Sequence, residues 1–134
     1  MNLIIGIIAA AASAFTAFAF FKAGMFKAGA SRQKLLDAGF GWIENISLGT
    51  VRLIAWLELL GVAGLVLGVI GYFVGFQWAL WFAVAAAIGL ALTMIGAILI
   101  HASRGESKYT LKMNLVLLFP PLVAAVLWAI FPSL

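Results

Sequence analysis

The chain has 134 residues, of which 66% are hydrophobic and only 9% charged, too few polar groups to clothe a soluble domain of that length. Its eight Lys and Arg against four Asp and Glu give a net charge of +4, and they border apolar stretches rather than forming any nucleic-acid-binding motif, so no nucleic-acid partner is expected. With no cysteine and one histidine, disulfides, thiol relays, thiolate ligands and multi-histidine metal or haem centres are excluded within this chain.

A hydrocarbon core of about 30 Å is crossed by about 20 apolar residues in a helix, whose backbone polar groups are satisfied internally. Four stretches meet that requirement, at about 3–26, 48–74, 77–101 and 111–131. The expected fold is therefore all-α, an integral membrane four-helix bundle forming a single transmembrane domain over 1–134, with a short interfacial helix in the first connection.

The first span, Leu3 to Phe21, carries no charge and is rich in small residues from Ala9 to Thr16. It reads as a retained helix rather than a signal peptide, because Lys22 and Lys27 follow the apolar run instead of preceding it. Beyond it comes a duplication, Phe21-Lys22-Ala23-Gly24 and Phe26-Lys27-Ala28-Gly29, read as the unwinding end of the helix. In the long first connection Ser31 is a candidate N-cap and Gly39 a candidate stop for a helix over Arg32 to Ala38. Phe40, Trp42 and Ile43 are expected to anchor this segment in lipid headgroups, either as a surface loop or as a gate over an inner cavity.

The second span carries Gly61, Gly64, Gly68, Gly71 and Gly75 at spacings of three and four, one small stripe on one helix face. Ala86, Gly89, Thr93 and Gly96 answer it on the third span, so the two are expected to form a tight hairpin folded about Gly75, with helix packing as the role of every glycine. The second span also carries Glu58, roughly 13 Å inside the interface by helix rise. An ionised side chain there is costly, about 3 kcal/mol on insertion scales, so it should face the bundle interior and find a partner or stay protonated. Its roles are proton handling, orientation of a polar ligand group, or a hydrogen bond that locks two helices.

Folding about Gly75 brings Glu58 level with Thr93 and Met94, whereas His101 lies about 12 Å nearer the inner side. Thr93 is therefore the expected hydrogen-bond partner, with Lys27 or Arg52 approaching from the inner side and no direct dyad with His101. Arg52 and Glu58, six apart, do not share a helix face. His101, at the end of the third span, is either a cap or a group exchanging protons with a ligand or a water chain. On the fourth span Pro120-Pro121 removes two backbone donors and should kink the helix, while Tyr109 and Asn114 read as headgroup contacts.

Lys22, Lys27, Arg32, Lys34 and Arg52 lie in or beside the first connection, and Arg104, Lys108 and Lys112 in or beside the third. This bias puts both connections in the cytoplasm and both termini outside, in an inner, cytoplasmic membrane. Tyr72, Phe73, Phe76, Trp78, Trp81, Trp128 and Phe131 would form the outer aromatic belt.

The runs Trp56-Leu57-Glu58-Leu59-Leu60-Gly61-Val62-Ala63-Gly64-Leu65 and Ala91-Leu92-Thr93-Met94-Ile95-Gly96-Ala97, with His101 and the segment Ala23-Gly24-Met25-Phe26-Lys27, resemble the DoxX-like family of small bacterial membrane proteins. The resemblance implies a four-helix membrane bundle and an association with quinone-linked sulfur oxidation or membrane oxidoreductase assemblies. It leads to three functions. The first is a non-catalytic subunit that packs in or beside a larger membrane complex such as a respiratory or other redox assembly, with lipids and other subunits, or a second copy, as partners. The second is a quinone-linked oxidoreductase subunit holding a hydrophobic ligand near Glu58. The third is an enzyme or carrier for a lipid-like molecule. The chain alone holds no metal or cofactor, with quinone or lipid as the candidate ligand. Tight glycine packing leaves limited room for a ligand, which puts the non-catalytic subunit first.

Overall fold

The structure, a computed structural model, describes residues 2–134. Among them are five α-helices: α1 (Asn2–Gly29), α2 (Arg32–Asp37), α3 (Leu48–Phe73), α4 (Ala79–Ser103) and α5 (Ser107–Ile130). Short 3-10 turns occupy Gly41–Asn45 and Phe131–Ser133, and no strand occurs among the described residues. The spans α1, α3, α4 and α5 are each long and apolar enough to cross a membrane. Little of each apolar window is buried within the chain, from 22% for α1 to 33% for α4, and the outward faces carry large apolar side chains such as Leu3, Phe18 and Leu67. Such a surface suits lipid and not water.

Each long helix packs on the next, and α1 closes the ring against α5. The Asn2 side chain donates to the Leu134 carbonyl at 2.7 Å, so both ends of the described chain meet at one end of the bundle. Lipid tails are as apolar as leucine, so these helices associate through close packing and through buried polar contacts. One such contact pins α1 to α5: the Trp128 indole N–H donates to Ser13 Oγ at 2.8 Å, and Ser13 donates to the Ala9 carbonyl. Trp128 is wholly buried, a correction to its expected place in the aromatic belt. It packs edge-on against Phe73 and Phe131, because its ring fills the space left by Ala9 and Ser13.

The glycine stripe of α3 meets α4 closely at four positions. A Cβ on Gly68 would stand 2.6 Å from the Ala83 backbone nitrogen and 2.8 Å from the Ala79 carbonyl oxygen. Gly61 faces Leu90, Gly64 faces Ala86, and Gly71 faces Ala79 at similarly short range. The answering residues on α4 are therefore mostly alanines and Leu90. Gly89 and Gly96 have nothing within 4 Å of a built Cβ, so neither packs a helix, contrary to expectation. Gly75 is also no packing residue: its φ of +116° makes it the left-handed turn between α3 and α4.

Two local expectations also change. Both copies of the duplicated Phe-Lys-Ala-Gly segment stay helical, carrying α1 on to Gly29. Their five-residue offset turns them to different faces, leaving Lys22 exposed and Lys27 buried. The first connection is a packed cap, and Ile43 lies inside it rather than in lipid headgroups. Ser31 caps α2 by accepting from the Lys34 amide, and Gly39, at φ +97°, lies just past its end. Leu35 and Ile43 are fully buried, and Arg32 donates to the Ile43 and Ile46 carbonyls at 2.8 and 3.0 Å, binding the 3-10 turn to α2. Across Pro120-Pro121, α5 continues as one helix.

Gly68→Ala should push α3 from α4 and destabilise the bundle by about 1–3 kcal/mol, the usual cost of overpacking. Gly89→Ala, into open space, should be neutral or stabilising by up to about 1 kcal/mol through helix propensity. Thermal unfolding of both variants in detergent checks the contrast, and equal melting temperatures would refute the assigned packing.

Candidate functional site

Buried positions of α3 run Val51, Ala55, Glu58, Val62, Leu65 and Gly68, a single stripe that turns Glu58 into the bundle. On α1 the stripe runs Ala9, Ser13, Thr16, Phe20, Gly24 and Lys27. One turn before the two charged residues, Gly24 lies against Ala55 and Leu59, with a built Cβ 3.3 Å from the Ala55 carbonyl oxygen. That close approach lets Lys27 reach Glu58, and Lys27 Nζ donates to Glu58 Oε1 at 2.5 Å. Both residues are almost wholly buried, at 8% and 3% exposure. In a medium of low dielectric each charge is tolerable because the other cancels it.

Arg52 does not touch Glu58. Its guanidinium donates to the Lys27 backbone carbonyl at 2.5 Å, satisfying one of the orphan carbonyls at the end of α1 and holding the lysine-bearing turn in place. Thr93 is not the partner of Glu58 either, because its hydroxyl donates to the Gly89 carbonyl one turn back in its own helix, at 3.0 Å. The His101 Nδ1–H donates to Glu106 Oε1 at 2.9 Å, and Arg104 Nε donates to the same oxygen at 3.1 Å. The hydrogen bond from His101, aided by Arg104, holds the Glu106 carboxyl below the ordinary carboxylate range despite some loss of solvent.

These residues border an open cavity of about 490 Å³ lined by α1, α3, α4, α5 and the first connection. Lys27, Glu58, Thr93, His101 and Asn114 supply its polar wall, and Phe40 and Trp42 reach into it from the first connection. The rest is apolar, with Gly96 and Ala97 leaving room where larger side chains would close it. A smaller recess of about 260 Å³, bordered by Gly39, Tyr109 and Thr110, shares Phe40, Trp42, His101 and Asn114 with the cavity. His101 therefore stands at the junction between the recess and the deeper space. Among the described residues no group of three or more His, Asp or Glu side chains could hold a metal ion.

Asn114, expected from the sequence as a headgroup contact, instead lies inside the bundle on the cavity. It is only 8% exposed, and its Nδ2 has no hydrogen-bond partner. Glu58 Oε2, the oxygen not bound by Lys27, is likewise buried and unpartnered. A signal existed in the spacing, since Asn114 lies seven residues before buried Pro121 and so on the same face of α5.

The sequence profile of the DoxX-like family matches residues 11–130, and the chain belongs to that family. No curated protein and no solved structure matches the chain.

Lys27→Met should strand Glu58 as a buried unpaired carboxyl and cost about 3–5 kcal/mol, whereas Lys27→Met with Glu58→Gln together should recover most of that loss. Unfolding of the two variants beside the wild type in one detergent reads the difference. A double variant as unstable as the single one would show that the pair is not the coupling between α1 and α3.

Proposed function

We propose that this multi-pass membrane protein binds an apolar, lipid-derived molecule in the cavity between its helices, with the molecule's polar end at the Lys27–Glu58 pair. The observation that carries the reading is the cavity itself, a mostly apolar space of about 490 Å³ with a buried ion pair in its wall. Ligand sites commonly measure about 300–1,000 Å³ and combine apolar walls with a few convergent polar groups. Intramembrane ionisable residues mark ligand or ion paths by default.

The reading as a non-catalytic companion of a larger complex rests on tight glycine packing that leaves limited room. That packing holds for Gly61, Gly64, Gly68 and Gly71, while Gly96 borders open space. A ligand-binding role is thus favoured over a purely structural one, and binding of a quinone-type molecule is one case of it. Chemistry on the ligand is not part of the proposal.

The same proposal places the protein in the cytoplasmic membrane with its termini outside. Support comes from the basic residues, which gather in and beside the first and third connections, and from the meeting of Asn2 and Leu134 at the opposite end.

Native mass spectrometry of the protein extracted from its membrane in mild detergent should find a lipid-derived adduct. Gly96→Phe, which fills the cavity, should remove it at an unchanged melting temperature; an adduct retained by the variant, or none on the wild type, would defeat the reading. Because the chain has no cysteine, single cysteines at Ser103 and Phe76 report orientation cleanly in intact cells. An impermeant maleimide should label position 76 and leave position 103 unlabelled until the membrane is opened, and the reverse pattern would invert the topology.

A further inference from the structure

The two unpartnered polar atoms of the cavity wall are of opposite kinds, and the charges around them cancel. Glu58 Oε2 accepts hydrogen bonds only, while Asn114 Nδ2 donates only, and both are buried without a partner. Lys27 neutralises Glu58 through the other carboxylate oxygen. Antiparallel pairing about the turns at Gly75 and Gly105 sets Asn114 about one helical turn, roughly 5 Å, nearer the connections than Glu58. A head group lodged between those two helices therefore meets an acceptor deeper in and a donor nearer the connections.

On the reading above that the cavity holds a lipid-derived molecule, we infer that its head is uncharged and bears a hydroxyl, as in an alcohol or a phenol. The hydroxyl donates to Glu58 Oε2 and presents its oxygen to Asn114 Nδ2, while the apolar body lies against Phe20, Ile54, Leu57, Met94 and Leu117. An anionic head would compete with Glu58 for Lys27 and leave an excess negative charge in the bundle. A cationic head would leave an excess positive one. A head with acceptors alone, such as a ketone, an ether or an oxidised quinone, would leave Glu58 Oε2 without a donor. Asn114 is on this account a specificity-determining residue.

Four photoreactive diazirine probes with one hexadecyl chain and different heads test the inference: the alcohol, its methyl ether, the sulfonate and the trimethylammonium. Each is crosslinked to the full-length protein in detergent, and labelled positions are read by peptide mass spectrometry. The alcohol is expected to label Met94 and Leu117 about tenfold more efficiently than any of the other three, the factor corresponding to one hydrogen bond to a charged group. Asn114→Leu should weaken labelling by the alcohol and by the ether alike, several-fold, with the alcohol still ahead because Glu58 is intact. Labelling of those residues by the ether, sulfonate or ammonium as strong as by the alcohol would overturn the head-group assignment and leave the binding site standing. Labelling confined to lipid-facing residues such as Leu3 and Leu99 by every probe would overturn both.

Discussion

The half of the bundle nearer the first and third connections is organised by one buried ion pair. A lysine on α1 and a glutamate on α3 cannot lie in lipid alone, and each finds in the other the least costly way to stay charged. Gly24 and Ala55 bring the two backbones close enough for that contact. Arg52 then grips the Lys27 carbonyl, so the turn that carries the lysine is held by a second element of the same helix pair. The register of α1 against α3 follows from these contacts, and with it the wall of the cavity.

Small residues have opposite consequences in the two halves of the molecule. Toward the Gly75 turn, Gly64, Gly68 and Gly71 let α3 press against alanines of α4, and Trp128 fills what remains between α1 and α5. Toward the first and third connections, Ala19, Ala23, Gly96 and Ala97 line the cavity, and their smallness becomes space. The packed cap formed by α2 and the 3-10 turn covers that space with Phe40 and Trp42, held down by Leu35 and Ile43 and by the Arg32 bonds to the backbone.

The four spans and the interior position of Glu58 were legible because length, hydropathy and the cost of a charge in lipid leave few alternatives. Ser31 and Gly39 were legible through local capping chemistry alone. The partner of Glu58 was legible in part: Lys27 was named beside Arg52 but behind Thr93, and only the continuation of α1 through both Phe-Lys-Ala-Gly segments turns Lys27 inward. On α4 small residues occupy more than one face, so spacing could not separate Ala79 and Ala83, which touch α3, from Gly89 and Gly96, which do not. Asn114 was hidden by its nearness to a loop. The cavity was hidden most deeply, because a void is the lack of a side chain that no residue in the sequence announces.

The plug of Trp128, Leu65, Leu80 and Ala83 at the far end of the bundle has a consequence for any traffic through the protein. The chamber is blind. The space lined by Lys27, Glu58 and Asn114 does not extend to that end. On the proposed ligand-binding role, a guest would be held and exchanged in the half of the bundle that carries the ion pair, because the packed end offers no continuation of the space.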